Sequence, residues 1–156
     1  LHLIGCAYRE LKNYEKSLDA FKESRSLFKR LKEVINVARC DQKIAHCLTE
    51  LGDAQGALTA AQKSLDVFVT AHDHRRETYS SFELGKAQMG LAQYEEALMT
   101  LENVLESVTE AEFKDFEFII DIERKIALTL RKLDRENEAD EIVRRLDAVT
   151  EVIDEA

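Results

Sequence analysis

The side chains that could catalyse a reaction or bind a metal are few, and their spacing supports neither activity. His72 and His74 lie two residues apart, but zinc requires three or four converging ligands, and no cysteine lies near this pair. His46 and Cys47 are adjacent, and neighbouring residues of a helix point about 100° apart, which favours Cys47 in a core and His46 on an open surface. No glycine-rich phosphate loop or nucleophile motif occurs. The sequence therefore predicts a protein that is not an enzyme, with no cofactor and no metal site.

The composition is that of a folded chain with an acidic surface. The 156 residues are 45% hydrophobic and 34% charged, proline is absent, and the net charge is −9. This charge disfavours binding to nucleic acid or to anionic membranes, and no apolar run approaches the ~20 residues that span a bilayer. Cys6, Cys40 and Cys47 are expected to be reduced core thiols, which favours a cytoplasmic location, or else a nuclear one. Because Leu1 begins inside a helical pattern, we expect a fragment of a longer chain.

A repeated pattern of leucine and small residues organises the chain. Leu11, Leu51, Leu91 and Leu133 follow one another at intervals of 40, 40 and 42 residues, a period that indicates stacked supersecondary units. Small residues stand six positions before each leucine, at Gly5, Ala45, Gly85 and Ala127, and six positions after it, at Ser17, Ala57, Ala97 and Ala139. Four residues beyond the second small position lies a larger apolar side chain in three units, with Ala61 as the exception. We expect antiparallel helices to approach closely at the small positions.

Apolar residues at helical spacing predict eight helices joined by short turns. The expected ranges are 1–11, 14–31, 33–51, 54–70, 75–90, 94–108, 113–133 and 135–152. Gly52-Asp53 is expected to end one helix and cap the next, and 71–74 to form a polar corner. In the third helix, Asp41 is the only residue that breaks the apolar stripe. We expect one helical-repeat domain, with units at about 1–32, 33–72, 73–111 and 112–156.

The pattern resembles the tetratricopeptide repeat, in which Leu-Gly is followed by Tyr, a small residue after the turn, Phe and a closing Pro. Unit one supplies Ile4-Gly5, Tyr8, Ser17 and Phe21, and unit three supplies Leu84-Gly85, Ala97 and Leu101. The usual Trp position holds Leu1, Asp41, Ser81 and Glu123, the closing Pro is absent, and the period exceeds the ~34 residues of the common form. The long repeat is similar to those of kinesin light chains and Pins/LGN-type scaffolds. The resemblance implies an all-α fold, a right-handed α-solenoid of antiparallel helix pairs.

The resemblance also implies that the first helix of each pair lines a concave groove. Side chains of that helix that avoid the internal stripe should point into the groove. We expect the groove residues to be Arg39, Gln42, His46, Tyr79, Phe82, Lys86, Met89, Arg124, Leu128 and Arg131, together with His2, Cys6, Arg9, Thr49 and Asp121. Basic residues outnumber acidic ones in this set, which favours an acidic peptide held by Arg–carboxylate pairs and apolar anchors. The alternative is that these are ordinary solvated helix charges.

These features predict a non-catalytic protein–protein interaction scaffold that holds a peptide or protein segment in the concave groove. A chaperone-tail carboxylate clamp is not expected, because the matching positions hold His2, Cys6, Lys43, Tyr79 and Glu83. RNA binding, as in related helical repeats, is disfavoured by the acidic charge. Two alternatives stay open: a structural segment that self-associates or packs against further repeats, and a regulatory domain of a larger multidomain protein.

Overall fold

The computed structural model describes residues 1–110 and 115–154, and these form eight α-helices and no β-strand. The helices are α1 (His2–Glu10), α2 (Tyr14–Arg30), α3 (Val34–Glu50), α4 (Ala54–Thr70), α5 (His74–Gly90), α6 (Tyr94–Glu110), α7 (Phe116–Lys132) and α8 (Glu136–Asp154). Phe113, the expected start of the seventh helix, lies outside the described residues. None of the helices in these ranges has an apolar stretch that could cross a membrane. The expected all-α architecture is therefore confirmed.

One form of three-residue turn sets the pitch of the repeat. The first residue ends a helix, the second has a positive φ, and the third precedes the next helix. Residues with positive φ are Lys12, Lys32, Gly52, His72, Ala92 and Asp134. In each turn the backbone N–H of the third residue donates to the carbonyl five residues earlier, as from Asn13 to Tyr8 (2.9 Å) and from Gln93 to Gln88 (3.0 Å). The sequence indicated this geometry only at Gly52, because other side chains at positive φ are strained by about 1 kcal/mol.

Short polar side chains fix where four of the helices begin. Asn13, Asp53, Asp73 and Asp115 each accept a hydrogen bond from the backbone N–H three residues later. The cap at Asp73 corrects one expectation. The polar corner expected at 71–74 is shorter, because the chain makes the same tight turn at 71–73 and α5 begins at His74 and not at Arg75.

All eight small residues of the repeat pattern are buried, as expected. In unit one the Ser17 hydroxyl donates to the Gly5 carbonyl (2.8 Å), so the two helices of the pair lie very close together. A Cβ atom added to Gly5 would lie 2.9 Å from the Phe21 ring, and one added to Gly85 would lie 2.9 Å from Leu101 Cδ2. Each glycine therefore makes room for a large side chain of the following helix.

A larger residue at the first small position goes with a smaller side chain on the following helix, and this explains why unit two has Ala61 where other units have a larger apolar residue. Units two and four have alanine at the first small position, Ala45 and Ala127, and they carry the smaller side chains Ala61 and Val143 on the following helix. Because protein interiors are close-packed, an added methyl group on one helix is offset by a smaller group on its partner. The helix contact is thus specified by a pair of positions.

The odd-numbered helices form an inner layer. Each helix packs on the next one along the chain, and in addition α3 contacts α5 and α5 contacts α7. No two even-numbered helices make a comparable contact within the described residues. The odd-numbered helices therefore form the concave side of the stack, and α2, α4, α6 and α8 form the convex side.

The buried interior also contains polar contacts that hold helices together. Gln42 Nε2 donates to Ser80 Oγ (3.2 Å), and Ser64 Oγ donates to the same atom (2.9 Å). Asp41, the residue that breaks the apolar stripe of α3, is buried, and its carboxylate accepts a hydrogen bond from Arg25 Nε at 2.5 Å. The polar residue in the stripe thus joins α3 to α2 by an ion pair.

Candidate functional site

A hollow of about 280 Å³ opens on the concave side and is lined by all four odd-numbered helices. Its lining residues are Arg9, Glu10, Gln42, Lys43, His46, Tyr79, Phe82, Glu83, Lys86, Phe118 and Asp121. We call this surface the groove. Because its walls are helices that pack on their neighbours along their length, the groove is formed without a ligand and little ordering is needed on binding.

The groove contains half of the residues expected there from the sequence. Gln42, His46, Tyr79, Phe82 and Lys86 line it, and so do Arg9 and Asp121 from the wider set. The residues that do not line it are Arg39, Met89, Arg124, Leu128 and Arg131, with His2, Cys6 and Thr49 from the wider set. The structure therefore centres the candidate site on the middle of α3 and α5.

Among the outlying residues, Met89 and Arg131 have contacts that account for their positions. Met89 packs against the apolar core of units three and four. Arg131 lies 3.7 Å from the Glu136 carboxylate and 3.1 Å from that of Asp140. Its charge is therefore opposed by two carboxylates at the turn into α8. The apolar core of units three and four and the α7–α8 turn thus account for these two residues without a ligand.

An aromatic wall closes one side of the groove. The rings of Tyr79 and Phe118 have centroids 4.5 Å apart, and Phe82 packs edge-on against Phe118 at 5.1 Å. The Tyr79 hydroxyl donates to the Asp115 carboxylate (3.3 Å). Phe118 was not among the expected groove residues, because its sequence position also fits the contact between the last helices. Aromatic faces of this kind can hold an apolar side chain of a ligand.

A cluster of ionisable side chains lies on the floor of the groove. The Glu83 carboxylate pairs with Lys86 Nζ at 2.8 Å, and His46 Nδ1 lies 3.3 Å from the other Glu83 oxygen. Burial disfavours the charged form of Glu83, but the contacts with His46 and Lys86 outweigh it and hold the pKa of Glu83 below its ordinary value. Lys86 Nζ also lies 5.0 Å from the centroid of the Phe82 ring. The positive charge of Lys86 is thus balanced within the protein by the Glu83 carboxylate.

Lys43 is a groove cation without a partner. Its ammonium makes no ion pair and no hydrogen bond with any described residue, whereas the neighbouring Arg9 donates to Glu10 at 2.7 Å. Burial lowers the pKa of Lys43, and the positive charge of Arg9 lowers it further. The Glu83 carboxylate offsets these effects only in part, so an anion at this position would stabilise the Lys43 charge.

The groove lining is balanced in charge. Arg9, Lys43 and Lys86 are opposed by Glu10, Glu83 and Asp121. The basic excess expected from the sequence is therefore absent from the lining within the described residues. Periodicity alone had not placed Glu10 and Glu83 in the groove, and these two carboxylates neutralise Arg9 and Lys86. Lys43 is the cation that remains available.

The remaining reactive side chains do not form a chemical site. Cys40 and Cys47 are buried free thiols whose Sγ atoms lie 3.6 Å from Ser24 Oγ and 3.3 Å from Ser17 Oγ, and burial raises the pKa of both. A thiol with a raised pKa is a poor nucleophile. Over residues 1–110 and 115–154, no three His, Cys, Asp or Glu side chains are grouped so that they could hold a metal ion. The groove is thus a surface lined by ionisable, polar and aromatic side chains.

Comparisons with known proteins agree with this architecture. A family model described as Tetratricopeptide repeat matches residues 1–27. No curated protein matches the sequence. The predicted resemblance to tetratricopeptide repeats is confirmed by this match together with the solved structures that share the fold.

Three solved structures are similar over nearly the whole chain. A Rap protein complexed with competence and sporulation factor has a TM-score of 0.85 at 18% identity, over 96% of this chain and 42% of that one. The apo form of RapI has a TM-score of 0.82 at 18% identity, over 99% of this chain and 56% of that one. A Podosopora anserina putative kinesin light chain with TPR-like repeats has a TM-score of 0.77 at 15% identity, over 95% and 72%.

The present chain therefore spans about half the length of the two Rap structures. At these identities the likeness establishes the fold. The fold is the expected all-α, right-handed α-solenoid of antiparallel helix pairs.

Proposed function

We propose that this chain is a non-catalytic protein-interaction module that holds a segment of another protein in its concave groove. The observation that carries the proposal is Lys43, an unpaired and partly buried cation in a preformed groove beside an aromatic wall. A buried charge without a partner is unfavourable, and a ligand carboxylate would remove that cost.

The proposed ligand segment has a carboxylate next to an apolar side chain. The carboxylate would pair with Lys43, and the apolar side chain would pack on Tyr79 and Phe118. Hydrogen bonds to charged groups contribute roughly 1.5–3 kcal/mol, so one such pair would dominate the specificity. The sequence favoured a generally acidic peptide. The proposed ligand needs only one carboxylate, placed against Lys43, because the other charges of the groove are balanced.

One of the structural neighbours is itself a complex, which supports a peptide or protein ligand for this fold. That Rap protein is described as complexed with competence and sporulation factor. The present chain covers only 42% of the length of that protein, so the factor bound there is not assigned to this chain as its partner. We also propose that residues 1–156 form one helical-repeat domain. A cytoplasmic or nuclear location is proposed as well, since three free cysteines suit a reducing compartment.

A selection from a random peptide library tests the proposal. Peptides that bind the wild-type chain should contain Asp or Glu next to an apolar residue. Lys43→Met keeps the length of the side chain and removes its charge, and it should weaken these peptides about tenfold or more. Lys22→Met, on an exposed position of α2, is the matched control and should bind normally. The groove is rejected as a binding site if every selected peptide binds wild type and Lys43→Met with equal affinity.

A second candidate function is association through the outer face of α1. Ile4 is 51% exposed, whereas Ile44 and Ile126, at the same position of units two and four, are 6% and 3% exposed because the preceding helix pair covers them. Leu3 and Leu11 are exposed on the same helix. We propose that another helix pair of this kind, from a further repeat or a second copy, packs on this face.

Light scattering over a concentration series tests the second candidate. A second copy on this face would give a mass that rises with concentration, and Ile4→Gln should abolish the rise. If the chain stays monomeric, fusion of an extra repeat before Leu1 should bury Ile4 and increase the free energy of unfolding. A monomer that is not stabilised by the extra repeat would contradict this use of the face.

A further inference from the structure

A second and larger hollow lies on the convex side of the stack, away from the groove. Its volume is about 430 Å³, and it is formed by α2, α4 and the first turns of α3. Its lining residues are Arg25, Lys29, Lys32, Val34, Val37, Ala38, Asp41, Lys63, Asp66 and Val67. We call this surface the convex hollow.

The convex hollow has an apolar floor. Val34, Val37 and Val67 are partly or fully exposed side chains in its lining, and Ala38 is buried between them. A ligand that covers these exposed aliphatic groups removes apolar surface from water, which favours binding. The floor therefore suits aliphatic side chains.

The rim of the convex hollow carries three lysines with no partner. Lys29, Lys32 and Lys63 are exposed, and their ammonium groups make no ion pair or hydrogen bond with any described residue. Arg25 and Asp41 at the same hollow neutralise each other. Asp66 is therefore the remaining anion against three free cations. This local excess of positive charge contrasts with the net charge of −9 of the whole chain.

The basic rim is not a requirement of the repeat. One period of 40 residues later, the positions of Lys29, Lys32 and Lys63 hold Val69, His72 and Asn103. The same turns and helices form at that junction without the lysines. The fold therefore does not account for three lysines around an apolar floor between units one and two.

We propose that the convex hollow is a second binding site, for an acidic and aliphatic segment of a partner protein. Its aliphatic side chains cover Val34, Val37 and Val67, and its carboxylates lie against the lysine rim. Charge complementarity selects this occupant, since three unpaired cations surround a surface that polar ligands do not fit. The inference is independent of the groove, and together the two sites let one module hold two partners on opposite faces.

Selection of random peptides on matched variants tests this site. The rim variant is Lys29→Glu with Lys63→Glu. The control is Lys22→Glu with Lys132→Glu, which changes the net charge equally at exposed positions outside both hollows. Among peptides that bind wild type, we expect a class rich in Asp or Glu and in Val, Leu or Ile. That class should bind the control normally and the rim variant at least about tenfold more weakly.

Other results of this selection would reject the convex hollow as a site for an acidic peptide. If no peptide loses affinity on the rim variant, or if the peptides that do are not acidic, the proposal is wrong. Binding of phosphatidylserine vesicles that depends on the same two lysines, without such a peptide class, would assign the rim to a membrane surface and also overturn it. Val34→Ser tests the floor by itself, since it changes an exposed residue and should weaken the same peptides. Lys43→Met should leave them unaffected, so the two sites fail or succeed separately.

Discussion

Gly85 and Leu101 allow a quantitative test of how the helix pairs pack. The change Gly85→Ala adds a Cβ atom 2.9 Å from Leu101 Cδ2 and 3.0 Å from Leu101 Cγ. Leu101 is fully buried, so its side chain has no free space into which to move. Overpacking of this kind costs about 1–3 kcal/mol, and the better helix propensity of alanine returns about 1 kcal/mol. We expect a net loss of up to about 2 kcal/mol in the free energy of unfolding.

Leu101→Val should relieve the overpacking. By itself it removes one methylene group from the core and should cost about 0.5–1.5 kcal/mol. In the double variant the new methyl group of residue 85 faces a smaller side chain, as Ala127 faces Val143 in unit four. The double variant should therefore be more stable than the sum of the single changes predicts, by about 1–2 kcal/mol.

Urea unfolding followed by circular dichroism measures all members of this cycle. The slope of the free energy against urea should be unchanged, so that the midpoints report stability. The control is Gly85→Ala combined with Ile44→Val, since Ile44 lies in a separate apolar cluster formed by units one and two. These two changes should be additive within about 0.5 kcal/mol. Additivity of Gly85→Ala and Leu101→Val to the same accuracy would refute the paired exchange of volume.

Three further predictions concern the turns, the helix crossings and the floor of the groove. Gly52 has a φ of 83° and Ala92 a φ of 58°, and positive φ favours glycine. Gly52→Ala should therefore lower the free energy of unfolding by about 1 kcal/mol, and Ala92→Gly should raise it by about as much, as measured by urea unfolding. Changes of the same sign in both variants would contradict the assigned turn geometry. Ala97 is fully buried at a helix crossing, and Ala97→Leu should cost on the order of 1–3 kcal/mol, seen as a lower melting temperature, whereas an unchanged melting temperature would mean that the crossing is misplaced. Because the folded pKa of Glu83 lies below its unfolded value, its carboxylate stabilises the fold above about pH 4.3, and this contribution is lost as the pH falls through the lower folded pKa. Glu83→Gln should therefore reduce the fall in stability between about pH 6 and pH 3, and an identical pH dependence would show that Glu83 is not held by His46 and Lys86.

The architecture could be predicted because its determinants are local and periodic. The small residues at each helix crossing, such as Gly85 and Ala97, recur at a fixed spacing, and they are buried as the pattern required. The turns were harder to predict in detail, since Lys32 and Ala92 adopt a positive φ that their side chains disfavour. The two adjoining helices impose that conformation, and a single sequence does not record their combined effect.

The groove was only partly predictable, because it depends on contacts between units. Periodicity gave the face of α3 and α5 and so identified His46 and Lys86. It could not show that Glu83 of α5 lies 3.3 Å from His46 of α3, or that Lys43 faces the same hollow without a partner. The pairing of Asp41 with Arg25 was missed for the same reason, since the two residues belong to different helices. Side-chain pairing across helices is a property of the packed structure.

Chemical-shift mapping by NMR of the ¹⁵N-labelled chain, with a selected acidic peptide that binds the Lys29→Glu, Lys63→Glu variant normally, tests the central claim most directly. If the concave face binds the segment, the largest saturable shifts should fall on Lys43, His46, Tyr79 and Phe118, and Lys43→Met should abolish them at the same peptide concentration. Saturable shifts confined to α2, α4 or the outer face of α1, with the groove resonances unmoved, would contradict it.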